Sequence, residues 1–270
     1  MEFKKFKSIT ELLEFEKKES LKKVEIESFN EDKEGSLELL LPKNIESLVC
    51  DKCFIKTIPS WLKSIEISTY PTSVSESMFN NTPNLKSLTV FCYDGYITKF
   101  PESLTELYLF EYFNKMDKNT FPKGLKKLTL QCTLRKGQTI ESKEVLPESL
   151  EELVVCDYSG SIDLDLEVLP SNLQKLTIEQ GFSIEKELPK GLKELNISVS
   201  PNYQLKPNHL PPSLTSLTFI NGFNNNQQPL IESNIFPSTL TYLNLGTDFN
   251  QSIGNETLPS GLTPVFKSAK

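Results

Sequence analysis

Apolar residues recur along the chain in short alternating runs, most of them led by a proline. The block apolar-Pro-x-x-Leu-x-x-Leu-x-Leu reads LPKNIESLVC from 41, IPSWLKSIEI from 58, FPESLTELYL from 100, FPKGLKKLTL from 121 and LPESLEELVV from 146. It continues as LPSNLQKLTI from 169, LPKGLKELNI from 188, LPPSLTSLTF from 210 and FPSTLTYLNL from 236. TPNLKSLTV from 82 is one residue shorter, a proline-less LKKVEI begins at Leu21, and a half copy, LPSGL, begins at 258. Within a copy, Leu104, Leu107 and Leu109 are apolar while Glu106 and Tyr108 between them are not, the period-2 pattern of a strand with one buried face.

The first core positions are Leu21, Ile45, Leu62, Leu85, Leu104, Leu125, Leu150, Leu173, Leu192, Leu214, Leu240 and Leu262, a mean spacing near 21.9 residues. No copy can bury its leucines alone, so the repeat predicts strands stacked in parallel with a continuous leucine ladder inside. Each proline precedes its strand, where it removes no central ladder bond. The returning segments are short and rich in Asn, Gly, Ser and Lys, which predicts turns and extended chain. The fold class expected is α/β repeat, predominantly β, with a parallel sheet on the concave face and a mostly irregular convex side.

Ser8-Ile-Thr-Glu11 has capping-box spacing ahead of Leu12, Leu13 and Phe15, which predicts a helix over about 8–20 covering the first repeat. The organisation expected is a helical N-terminal cap at 1–20, repeats over 21–262 and a tail at 263–270, the last repeat being broken by Pro264.

Composition excludes several classes. One alanine (Ala269) and 17 prolines argue against a helical bundle. One arginine (Arg135) and a net charge of −7 argue against nucleic-acid and anionic-membrane partners. No stretch approaches a membrane span, the first residues lack a secretory core, and five cysteines do not suggest a disulfide scaffold, so a cytoplasmic protein is expected.

After the strand, the later copies add Gly222-Phe-Asn224 and Asp248-Phe-Asn250, with Gly181-Phe-Ser183 and Tyr112-Phe-Asn114 as earlier versions. Together with the Leu-Pro block this resembles the FNIP repeat, a subtype of leucine-rich repeat. The clearest copies are 210–224 and 236–250, and the first three copies lack the Phe-Asn pair. The resemblance implies a curved solenoid that binds proteins, often attached to F-box or kinase modules, neither of which is found in this sequence. A weaker resemblance is to the Leu-Pro-rich repeats of bacterial effectors, which often carry a ubiquitin-ligase domain.

Candidate chemistry is sparse. Cys50-Asp-Lys-Cys53 could hold zinc, but no second pair or histidine cluster follows, and both cysteines fall on repeat positions. Asp163-Leu-Asp-Leu-Glu167 lacks the glycine and spacing of a calcium loop and reads as an extended edge with one wet face. His209 stands alone in Lys206–Pro212, with no G-x-S-x-G and no phosphate-binding glycine loop anywhere. No catalytic residue, metal or cofactor is therefore expected. Tyr70, Tyr93, Tyr112 and Tyr158 fall where leucine-rich repeats place Asn, and are read as turn plugs.

Aligning the copies puts Asp51, Ser68, Phe91, Phe110, Gln131, Cys156, Glu179, Ser198 and Ile220 in one exposed column after the last core position. Phe91 and Phe110 are thus expected neighbours, with Tyr108 beside them and Glu106, Glu111 and Asp157 as an acidic rim. The function expected is a non-catalytic scaffold binding an unknown protein on the concave face. Alternatives are a subunit that self-assembles through its C-terminal end and the substrate-recognition part of a complex such as a ubiquitin ligase. The longest inserts, 133–145 and 223–235, could assist binding.

Overall fold

The Pro-x-x-Leu spacing closes a tight turn. In ten copies the N–H of the first core residue donates to the carbonyl of that proline, as in Ile45 to Pro42 (3.0 Å), Leu104 to Pro101 (3.2 Å) and Leu214 to Pro211 (3.1 Å). In the short copy Thr82 takes the proline's place and accepts from Leu85 N–H at 3.2 Å. The next two N–H groups share one carbonyl of the preceding repeat: those of Glu46 and Ser47 both donate to Lys22 at 2.8 and 3.0 Å. Proline sets the turn's backbone and its missing donor is never needed there. This computed structural model describes residues 3–68, 74–91, 97–112, 115–132, 138–140, 142–157, 162–182, 184, 186–199, 205–220, 235–246, 249, 258–260 and 262. Of the other tyrosine plugs, Tyr70, Tyr93 and Tyr158 lie outside these residues, as do most of the Phe-Asn segments and the tail at 263–270. The chain forms two compact units, Met1–Gln131 and Cys132–Lys270.

The first unit begins with β1 (Phe3–Ser8), α1 (Ile9–Glu14) and β2 (Lys23–Asn30), followed by one-turn helices α2 (Glu31–Glu34) and α3 (Leu37–Leu40). Then come β3 (Ser47–Asp51), the two-residue β4 (Cys53–Phe54), β5 (Ser64–Ser68), β6 (Ser87–Phe91), β7 (Glu106–Phe110) and β8 (Lys127–Cys132). The strands pair in parallel in the order β1-β2-β3-β5-β6-β7-β8, with β4 pairing β2. Registers superpose the repeats: Val24, Leu48, Ile65, Leu88, Leu107 and Leu128 form one buried rung.

The N-terminal cap differs from the helix expected over 8–20. A strand comes first, and the helix covers only Ile9–Glu14 before an extended Phe15 ends it. Ser8 Oγ accepts from Glu11 N–H at 3.3 Å, while the Glu11 carboxylate accepts from Lys7 N–H at 2.6 Å. Phe6, Ile9 and Leu12 seal the core end. Three lysines and a single buried residue hid β1 from pattern reading; its pairing with β2, not its alternation, makes it a strand. Those same lysines suit an outermost strand, since edge charges discourage pairing with other chains.

The second unit contains β9 (Gln138–Ile140), β10 (Glu152–Asp157), β11 (Ile162–Leu164), β12 (Lys175–Phe182), β13 (Glu194–Val199), β14 (Ser216–Phe219) and β15 (Tyr242–Asn244). Its main ladder runs β10-β12-β13-β14-β15, all parallel. On the return side β9 and β11 form a separate parallel pair. The acidic segment from 163 to 167 is not one extended edge: after β11 it turns into a 3-10 helix, Leu166–Val168, because Asp165 accepts from Glu167 N–H at 3.0 Å. The result is a mostly-β parallel solenoid with short, irregular returns.

One further stitch was not expected. The residue just before the first core position reaches back to a carbonyl of the preceding repeat. Asn44 donates to Lys18 and Leu21 (both 2.9 Å), Asn84 to Ser60 (3.0 Å) and Ser103 to Thr82 (2.9 Å). Asn172 donates to Glu148 (2.9 Å), Ser213 to Leu192 (2.6 Å) and Thr239 to Pro212 and Leu214 (both 2.8 Å). Trp61 occupies this position in its copy, and its indole N–H is buried without a partner.

Candidate protein interface

Alternation turns every second strand residue of the ladder outward. In the first unit the middle outward row runs Glu25, Val49, Glu66, Thr89, Tyr108 and Thr129, paired strand to strand. The row beyond it pairs Asp51 with Ser68, Phe91 with Phe110, and Phe110 with Gln131. The two phenylalanines meet as aligned: their rings stack with centroids 4.4 Å apart and an interplanar angle of 11°. Both rings, and Tyr108 on the adjoining row, are half-buried. Such a stack contributes about 0.5–1.5 kcal/mol beyond burial and holds two large apolar side chains rigid on an otherwise polar face.

The expected acidic rim resolves unevenly. Glu106 faces Lys127 at 3.6 Å, which offsets its charge. Glu111 follows Phe110 in a left-handed conformation (φ 55), and its N–H donates to the Gln131 carbonyl at 2.6 Å. Asp157 ends β10 in the second unit, and its side chain lies outside the described residues. Two acids outside the expected rim also lie near the rings in register. Glu66 pairs with Thr89, two residues from Phe91, and Asp51 shares the row of the phenylalanines. Lys5 engages both Glu25 at 2.6 Å and Glu27 at 3.1 Å, one cation shared between two carboxylates, whereas among the described residues Asp51 and Glu66 form no ion pair. The pattern of Lys and Glu along the strands held this signal, but only the bridges show which charges remain.

In the second unit the outer row departs from the expected exposure. Cys156 and Ser198 are buried. Burial first, and then Glu179, push the Cys156 thiol up to about 12.

The remaining candidates resolve into structure. Lys52 adopts a left-handed conformation (φ 48) and bends the chain so that Cys53 opens β4. Cys53 Sγ lies 3.3 Å from the Ile26 carbonyl and 3.2 Å from that of Asp51. Contact with the Cys53 thiol, then burial, hold the Cys50 thiol well above its ordinary pKa. Protonated, enclosed thiols are poor nucleophiles and poor metal ligands. Asp165 pairs with Lys186 at 3.1 Å. The Glu167 N–H, then Lys186, hold the Asp165 carboxyl below the usual carboxylate range. His209 lines a cavity of about 430 Å³ with Leu188, Leu210, Pro211, Ile235 and Pro237, and its Nδ1 accepts from Lys206 N–H at 3.4 Å. Burial, then the Lys206 charge, lower its pKa. Of the tyrosine plugs, Tyr112 is fully buried and donates its hydroxyl to the Ile97 carbonyl at 2.8 Å.

Among the described residues, no group of three or more His, Cys, Asp or Glu could hold a metal ion. No helix among them is long and apolar enough to cross a membrane.

Comparison with known proteins agrees with this architecture. The FNIP Repeat model matches residues 183–222 and 225–266, the stretch that holds the clearest copies of the Leu-Pro block with the Phe-Asn pair. No curated protein matches the chain. Among solved structures, CroV588, described as a circular leucine-rich-repeat protein, superposes with a TM-score of 0.72 at 29% identity, covering 94% of this chain and 38% of its own. The chain thus spans well under half the length of that relative. TLR13, solved in complex with ssRNA13, gives a TM-score of 0.46 at 17% identity over 91% of this chain and 50% of its own. YopM from Yersinia enterocolitica WA-314 gives 0.43 at 21% identity over 84% and 56%. The parallel leucine ladder, the two FNIP matches and the likeness to CroV588 make this chain a leucine-rich-repeat-like solenoid carrying the FNIP repeat.

Proposed function

We propose that the chain is a non-catalytic scaffold that binds a protein on the open sheet face of its first unit, anchored by the Phe91–Phe110 stack. A general role in protein–protein interaction is typical of leucine-rich-repeat solenoids; the face and the anchor are the specific part of the reading. The observation that carries it is the half-buried stack, rings 4.4 Å apart, on a sheet face where the neighbouring outward residues are Tyr108, Thr, Ser, Gln and acids. Rigid aromatic anchors supply most of the affinity in many interfaces, and polar surroundings exclude water around them. The non-catalytic part of the reading is supported by a sequence without a catalytic motif and by the lack of a metal-binding cluster among the described residues.

The test is affinity capture from a native extract with wild type and Phe91→Ser/Phe110→Ser, with melting curves checking that the variant stays folded. Loss of one specific captured protein from the folded variant supports the reading. An unchanged capture profile refutes it.

A further inference from the structure

The scaffold reading names a face but not the chemistry of what lies on it. Resting on that reading, we infer that the Phe91–Phe110 platform takes an extended basic-apolar peptide segment: an aromatic or branched aliphatic side chain laid on the stacked rings, with a lysine or arginine two or three residues away reaching Glu66 and Asp51.

The register gives the geometry. Glu66 pairs with Thr89 and so lies diagonally from Phe91, a separation of about 8 Å for that relation in a sheet. Asp51 pairs with Ser68 on β5, one strand nearer to Phe91 on β6, so it stands two strand spacings from Phe91, about 10 Å. An extended peptide crossing the strands advances about 6.6 Å between residues on the same side, and a lysine stem spans the remainder.

Charge selects the sign of the partner. Of the acids on the outward rows from β2 to β7, Glu25 and Glu27 are taken by Lys5 and Glu106 by Lys127. Among the described residues Glu66 accepts from Ser68 Oγ at 3.4 Å and neither it nor Asp51 has a cation within salt-bridge distance. The rows beside the rings carry no lysine or arginine at all from Val49 to Thr129 or from Asp51 to Gln131. A cationic side chain arriving there gains two uncompensated carboxylates, whereas an acidic peptide meets like charge; opposed potentials of this kind set specificity and on-rate.

The experiment is panning of a random dodecapeptide phage library on the full chain, followed by titration of the most enriched peptide, fluorescently labelled. Enriched sequences are expected to place Lys or Arg two or three residues from an aromatic, Leu, Ile or Val. Their affinity should fall about three- to tenfold in Asp51→Asn/Glu66→Gln, fall further with added salt, and be lost in Phe91→Ser/Phe110→Ser. The Asn/Gln pair is isosteric and replaces half-buried side chains on the outward face, so it reports on charge even if the serine variant fails to fold. Peptides that need the phenylalanines but show no basic bias and ignore Asp51→Asn/Glu66→Gln overturn this inference and leave the scaffold reading intact. Peptides indifferent to both variants overturn both. Enrichment of no peptide overturns the inference, because a linear segment is what the platform is inferred to take.

Discussion

Replacing Asn44 with aspartate is the sharpest probe of how consecutive repeats are held together. The Asn44 amide donates to the Lys18 and Leu21 carbonyls, each at 2.9 Å, from a half-buried position. Asn44→Asp preserves the shape and turns a double donor into an acceptor facing two carbonyl oxygens. Two lost bonds at about 0.5–1.5 kcal/mol each remove about 1–3 kcal/mol. Holding a carboxylate against acceptors with restricted solvation adds about 1–2 kcal/mol. The expected loss at pH 7 is therefore about 2–5 kcal/mol, against about 1–3 kcal/mol for Asn44→Ala, which removes the donor without adding charge. The pH dependence has a definite sign. The facing oxygens disfavour the anion, so the introduced carboxyl has a higher pKa folded than unfolded, and the folded form binds the extra proton. Stability relative to wild type then rises as pH falls through the carboxyl range, where the protonated group again donates one bond. Urea unfolding at pH 7 and pH 4, with wild type and both variants in parallel, measures this; comparison with wild type cancels the other carboxylates. Hydrogen exchange of the β2 and β3 amides should localise the loss. An aspartate variant no less stable than the alanine variant at pH 7, or a deficit that grows on acidification, would refute the assigned donor geometry.

Three further outcomes are expected. Tyr112→Phe should lower stability by about 1–3 kcal/mol in the same urea assay, because the hydroxyl that meets the Ile97 carbonyl at 2.8 Å is removed from a fully buried site; a change below about 0.3 kcal/mol would contradict the turn-plug role. Glu76 caps the next return segment by accepting from Thr98 Oγ1, from Thr98 N–H at 2.6 Å and from Lys99 N–H at 3.1 Å, and the Thr98 hydroxyl, then its N–H, hold the carboxyl below the usual carboxylate range. Its stabilisation is present above the ordinary carboxyl pKa and lost as pH falls through the lower folded pKa, so Glu76→Gln should be less stable than wild type at pH 7 and converge with it as acidification protonates the folded carboxyl; parallel acid titrations of stability decide this. Peptide-resolved iodoacetamide labelling should leave Cys50, Cys53 and Cys156 unmodified in the native protein and label them in urea, because burial keeps these thiols enclosed and the thiols of Cys50 and Cys156 are held protonated; rapid native labelling of Cys50 or Cys53 would reopen a redox or metal role for the pair.

The linear sequence determined the ladder, its rungs and the Phe91–Phe110 contact. Each repeat packs only on its neighbours, so aligning Leu88 with Leu107 also aligns Phe91 with Phe110 three residues later, and the stack follows from counting. Tertiary structure decided whatever depends on the segments between copies. The strand at Phe3–Ser8 exists because β2 offers it a partner, although its own alternation is too weak to announce it. Asn44, Asn172 and Thr239 look like ordinary turn residues until the preceding repeat presents its carbonyls to them. The unneutralised charge of Asp51 and Glu66 emerges only once Lys5 and Lys127 have reached their own acids. The physical reason is one of range. Side-chain direction on a strand is local and periodic, so sequence records it, whereas hydrogen-bond and charge partners are set by how close successive returns lie in space.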